Sequence, residues 1–430
     1  MPPHTYSPRL FYGWIITGAA SLIMVVCFGV QYSFGVFLKS LIAEFGWTRA
    51  AASGIFSFYM IVRAVLSMVM GHVSDRRGSK LTVVIGGVSL GLGIFLAGRA
   101  SAIWHLYIFY SIMGGLGAAC FYVPLSSTLS KWFTRKRGLV LGIFTAGMGL
   151  GTVIFSPLTE YLISRYDWRY SYTIIGVIIL VAIPTSAFFL RESPEAMGLK
   201  PDGEGRGTPH IAGADRKDSR EKGLSLKKAM LTVPFWLLLF VETINYMTTI
   251  TPLVHIVPHA TDVGISPMFA ASILASTGGF SIVGRLMLGG LSDRVQAKKI
   301  LPWTFVAEAV MLFFLIVSKD VMTFYIFSIV FGFAYGGSIP LIPAMTAEFF
   351  GVGSMGAIFG VISFVGTLGG ALGPYAAGYI HDVTHGYTLA FLILGVLASA
   401  AAVLSFYLSR VARVSPRREA PGEQQNQPRA

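Results

Sequence analysis

Of the ionisable side chains inside long apolar runs, four matter most here: Arg63, Glu242, Arg285 and Glu308. A charge held deep in a bilayer costs about 3 kcal/mol or more, so such residues mark sites by default. Arginine is permanently cationic, and its planar fork of donors fits a carboxylate through two parallel bonds. A carboxyl group buried in a cavity can carry a proton. Glu242 shares one helical face with Asn245, Tyr246 and Thr249, which follow at three, four and seven positions. His255, near the far end of the same run, offers a second proton site or a donor to an anion. The chemistry in prospect is binding a small anion and moving a proton. The structural alternative is a fixed ion pair between Glu242 and one of the arginines.

Other chemistries find no residues to carry them. No nucleophile–base pair or metal-ligand set is legible in the runs, which argues against an enzyme. Cys27 and Cys120 each lie among apolar residues and imply neither a disulfide framework nor a metal site. The many glycines form no phosphate-cradling loop ending in Gly-Lys-Ser/Thr, so neither ATP nor any other cofactor is expected. Glycines such as Gly147, Gly149 and Gly151, or Gly369, Gly370 and Gly373, instead suit close helix packing.

The elements that must hold these residues are membrane helices. Of the 430 residues 54% are hydrophobic and 12% charged, about half the charge of a soluble domain. Apolar spans are expected at 11–37, 51–72, 81–98, 103–129, 138–164, 170–190, 230–257, 266–290, 300–317, 322–347, 354–379 and 387–409. The first is too long for a cleavable signal. These runs are also too long for barrel strands, so the fold class is an all-α integral membrane protein with twelve transmembrane helices. With the N-terminus taken as cytoplasmic, 25 of the 33 Lys and Arg fall on that side and six on the other; Arg63 and Arg285 lie within spans. The bias places both termini in the cytoplasm and explains the net charge of +13 without nucleic acid.

The chain divides into a six-helix half at 1–190, a polar cytoplasmic linker at 191–229, a second half at 230–410 and a disordered tail at 411–430. The halves repeat. Gly71-His-Val-Ser-Asp75-Arg76 matches Gly289-Gly-Leu-Ser-Asp293-Arg294, Pro124 answers Pro340, and Pro157 answers Pro374, at offsets of 218, 216 and 217. Three matches at nearly one offset indicate two pseudo-symmetric halves with a site between them at mid-membrane.

Gly71-x-x-x-Asp75-Arg76-Arg77-Gly78-x-Lys80 resembles the loop between the second and third helices of the major facilitator superfamily. Within it the chain resembles the monocarboxylate transporter and oxalate/formate antiporter branch. The residues that carry this are Tyr32-Ser-Phe-Gly-Val-Phe, Arg137-Gly-Leu-Val-Leu-Gly-Ile, Gly284-Arg285 and Arg191-Glu-Ser-Pro-Glu-Ala-Met-Gly-Leu. The resemblance runs to about residue 410. It implies that Gly71, Asp75, Arg76, Asp293 and Arg294 form a cytoplasmic gate. It also implies that Arg285 anchors the substrate carboxylate, and that Tyr32, Tyr122 and Tyr335 line the cavity from the first, fourth and tenth helices. Asn245 and His255 would complete the pocket, Glu242 or His255 would carry a proton, and Arg63 is a secondary candidate with no assigned role. Glu308, in the ninth helix, would be peripheral and structural.

Two positions depart from animal monocarboxylate carriers, where Tyr32 replaces a lysine and Ser281 an aspartate. The second cation that the oxalate/formate exchanger carries in its eleventh helix is missing between Met355 and Ile380. A single central arginine suits a single carboxylate. The expected function is therefore secondary active transport of a small monocarboxylate of lactate or pyruvate type, proton-coupled and by alternating access. The protein would act as a monomer in the plasma or inner membrane. The alternatives are exchange of other organic anions, export of larger or cationic compounds with Glu242 as the ligand, and metabolite sensing without transport.

Overall fold

Lipid offers no partners to backbone N–H and C=O groups, so apolar runs of this length must satisfy them internally as helices. A computed structural model describes residues 11–203, 224–292, 294–351 and 355–410. Among the described residues there is no strand, and twelve helical segments are long and apolar enough to cross a bilayer. They are α1 (Tyr12–Phe45), α2 (Arg49–Ser74), α3 (Ser79–Ala97), α4 (Ile103–Trp132), α5 (Arg137–Arg165), α6 (Trp168–Phe188), α7 (Val233–Asp262), α8 (Pro267–Ser292), α9 (Ala297–Val317), α10 (Val321–Phe350), α11 (Met355–Thr384) and α12 (Thr388–Arg410). The expected tail and most of the expected linker lie outside the described residues.

An even number of crossings puts the start of α1, the end of α12 and the α6–α7 connection on one face, here termed the terminal face. Within the first six helices α1 packs on α5 and α3 on α6; within the last six α7 packs on α11, α8 on α10 and α9 on α12. The two sets meet through α2 against α11, α5 against α8, and the second part of α1 against α7. Gly35 allows the last approach, since a Cβ there would collide with the Val254 carbonyl. Gly284 does the same for α8 on α10, where a Cβ would strike the carbonyl of Phe333.

Two helices depart from the hydropathy reading. The first span was expected to end at 37 but continues as helix to Phe45, with a break at Ser33. The Ser33 hydroxyl donates to the Gly29 carbonyl at 2.7 Å, a local bond that competes with the helix ladder. Lys39 can stay in the extension because it pairs with Asp262 at 3.1 Å. In α4 a π-helical stretch, Tyr107–Met113, precedes a second break at Cys120 and Phe121. Hydropathy carries no trace of either.

The start of the α6–α7 connection is pinned to the first half. Trp132 Nε1 donates to the Arg191 carbonyl at 2.9 Å. Asp202 receives the backbone N–H groups of Thr134 (2.9 Å), Arg135 (2.8 Å) and Lys136 (3.3 Å) just ahead of α5. Partial burial raises its carboxyl, but these bonds and that of the Thr134 hydroxyl outweigh it and hold the group below the usual aspartate range.

Candidate functional site

The face opposite the termini is shut by a polar clasp between the halves. Arg49, at the start of α2, pairs with Asp262 at the end of α7 at 2.6 Å and donates to the Tyr387 hydroxyl at 2.7 Å. Lys39 of α1 and His381 of α11 approach the same Asp262 at 3.1 and 3.6 Å. Asp382 accepts the backbone N–H groups of Arg49 and Ala50 at 2.9 and 2.8 Å, so a carboxylate of one half caps a helix N-terminus of the other.

Each half contributes an arginine from within a span: Arg63 from α2 and Arg285 from α8. Arg285 of α8 is 5% exposed, and its Nη1 donates across the interface to the Thr145 carbonyl of α5. Among the described residues its buried Nε and Nη2 have no hydrogen-bond partner. Those two nitrogens form one edge of the guanidinium, the edge that takes both oxygens of a carboxylate. Arg63 of α2 donates through Nη1 to Gln31 Oε1 at 2.9 Å and lies over the Phe28 ring at 5.6 Å. Tyr59 donates to the same Gln31 oxygen at 3.2 Å.

Tyrosines connect the two sides. Tyr32 lies within electrostatic reach of Arg285, Arg63, Tyr335 and Tyr246, and Tyr122 within reach of Arg285 and Tyr246. Among the described residues the buried Tyr335 hydroxyl has no partner. Tyr122 lies near these central groups and is 41% exposed.

The acid side of the site belongs to α7 and α9. Glu242 Oε2 accepts from Asn245 Nδ2 at 3.0 Å, and Asn245 Oδ1 accepts from the Ser338 hydroxyl at 3.2 Å. Both ends of the Asn245 amide are thus engaged within its own half. Among the described residues Glu242 makes no ion pair with either arginine. Glu308 is fully buried and points at α7, where its Oε2 accepts from the Thr248 hydroxyl at 3.4 Å, while Oε1 has no partner among the described residues.

The structure does not bring His255 into this group. It sits 13 positions beyond Glu242, roughly 20 Å along α7, inside the closed seam. Nδ1 meets the Tyr387 hydroxyl and Nε2 the Pro374 carbonyl, both at 2.9 Å, with the Ser53 hydroxyl at 3.5 Å. Of the motif residues, Arg76 and Arg294 are exposed at helix ends of the terminal face, and Gly71 faces Val123. The Asp75 side chain and Asp293 lie outside the described residues. Gln31, Tyr59 and Phe28 were missed by sequence reasoning. Their signal was available: Gln31 is a lone amide in an apolar run, and Tyr59 precedes Arg63 by one helical turn.

The sequence profile of the Major Facilitator Superfamily matches residues 20–259 and again 238–430. The chain is 28% identical over 387 residues to monocarboxylate transporter 13 of Bos taurus, covering 89% of this chain and 86% of that one. It is 26% identical over 406 residues to monocarboxylate transporter 12 of Rattus norvegicus, covering 89% and 82%. Among solved structures it superposes with a TM-score of 0.72 on a bacterial homolog to the human lysosomal transporter Spinster, in inward-facing and unoccupied conformation. That match is 15% identical and covers 94% of this chain and 98% of the other.

Proposed function

We propose that this chain, which belongs to the major facilitator superfamily and to its monocarboxylate-transporter-like branch, is a secondary carrier of small organic carboxylates, anchored by Arg285. It is a multi-pass membrane transporter and not an enzyme; the cargo, its coupling and its direction are the proposal. One observation carries the reading: the buried Nε and Nη2 of Arg285, aligned as a fork and without a partner among the described residues. Leaving a buried donor unmade costs about 1–3 kcal/mol, and more when it is charged. A carboxylate that meets both donors recovers that cost through two charge-assisted bonds.

Tyr32, Tyr122 and Tyr335 line the space around this anchor and supply hydroxyls to a lactate- or pyruvate-like acid. Glu242, which accepts a hydrogen bond from Asn245, takes the part of the proton carrier. The positive-inside bias supports the terminal face as cytoplasmic, which makes the present state inward-open. Transport then requires the clasp at Asp262 and Asp382 to break while the halves close over Arg285 from the terminal side.

The test is uptake of labelled lactate into proteoliposomes by the full chain and by Arg285→Ala. Saturable uptake that the variant loses supports the reading. Uptake left intact in the variant, or inhibition by organic cations and not by carboxylates, overturns it.

A further inference from the structure

We infer that Arg63 is a second substrate-binding group, so that the cavity favours carboxylates with a second anionic group, such as short dicarboxylates, held between the two halves. This rests on the assignment of Arg285 as the carboxylate anchor.

Charge accounting supports it. Ionisable residues at mid-membrane normally pair with one another or face a water-filled cavity. Arg63 and Arg285 come from opposite halves, and Tyr32 lies within reach of both. Among the described residues neither arginine has a carboxylate partner, and Glu242, the acid in reach of Tyr246 beside Arg63, is bonded to Asn245. A guanidinium has five N–H donors, and among the described residues Arg63 spends one of them, on an oxygen that it shares with Tyr59. A structural arginine would find a carboxylate or several carbonyls.

The same contacts position the group. Gln31 is buried and belongs to α1, Tyr59 and Arg63 stand one turn apart on α2, and the Phe28 ring lies under the guanidinium. The head is held from behind, with its remaining donors uncommitted. When the halves close on a monoanion at Arg285, Arg63 is left as a desolvated cation without a counter-charge. A second anionic group removes that penalty. Because the two cations sit on different halves, such a substrate also ties the halves together, so its binding favours the closed state over the open ones.

The experiment measures binding of propionate, butyrate, succinate and glutarate to the purified full chain by calorimetry, for the wild type, Arg63→Gln and Gln31→Leu. The expected result is a dicarboxylate preference of about tenfold or more, equivalent to about 1.4 kcal/mol. Arg63→Gln should bring it to within about twofold while leaving propionate affinity in place, and Gln31→Leu, which frees the head without removing its charge, should weaken it partially. Should Arg63→Gln fail to fold, the Gln31→Leu result decides alone. No dicarboxylate preference in the wild type, a preference that survives the variants, or an equal loss for all four acids overturns the inference. Arg285-dependent binding of monocarboxylates without such a preference would remove only this inference. Failure of every carboxylate to bind would remove the anchor assignment itself.

Discussion

The two halves of the molecule repeat one helical plan and load it differently. The second half carries Arg285 with an unmet donor edge, together with the buried carboxyls of Glu242 and Glu308. The first half offers Arg63, already tethered to Gln31, and the tyrosines Tyr32 and Tyr122. An unmet buried donor is costly and awaits a ligand, whereas a tethered one is positioned in advance. On the proposed reading, duplication supplied the frame, and the two halves then contribute to the site unequally. Substrate would bind first to the second half, and the first half would close on it.

Substitutions that treat the halves alike should expose this asymmetry. The largest effect is expected from Arg285→Gln, which should lower carboxylate uptake by about 100-fold or more, as loss of a buried charged contact of roughly 2–5 kcal/mol implies. Arg63→Gln should spare monocarboxylate uptake; equal losses would erase the distinction between the two sides. Next is Glu242→Gln, which should abolish accumulation driven by a pH gradient while sparing exchange of labelled for unlabelled substrate. Accumulation that persists would move the proton elsewhere, with Glu308 the next residue to test.

A smaller effect is expected at the clasp. Asp262→Ala removes the shared partner of Arg49, Lys39 and His381. It should raise the fraction of molecules open on that face by roughly fivefold, a coupling of about 1 kcal/mol, read from the distance between fluorophores on the two halves. An unchanged distance distribution would mean that the clasp does not set the balance. The smallest is Tyr335→Phe, expected to weaken binding by about threefold, in line with one neutral hydrogen bond. No change would make Tyr335 a packing residue.

Much of the frame was legible before any coordinates. Twelve spans followed from hydropathy, and the two halves from the spacing of Asp75 and Asp293 and of paired prolines. Arg285 stood out because a permanent cation in an apolar run demands a reason. The rest was hidden for identifiable causes. The helical extension to Phe45 depends on Lys39 meeting Asp262, more than 200 positions away. The clasp draws Arg49, Asp262, Asp382 and Tyr387 from the ends of separate helices, where each alone reads as an ordinary loop charge or ring. His255 looked like a pocket residue because its depth along α7 says nothing about which neighbour it meets, and Tyr387 and Pro374 claim it. The seating of Arg63 on Gln31 is likewise a contact between two helices that no single-helix pattern records.

The central claim is that the guanidinium fork of Arg285, and not its charge alone, anchors a carboxylate. Calorimetric titration of lactate into the wild type and Arg285→Lys tests this most directly, since lysine keeps the charge and loses the planar fork. The account predicts saturable binding by the wild type and an affinity lower by about 30-fold or more in the variant, equivalent to about 2 kcal/mol. Equal affinities in the two proteins would contradict it.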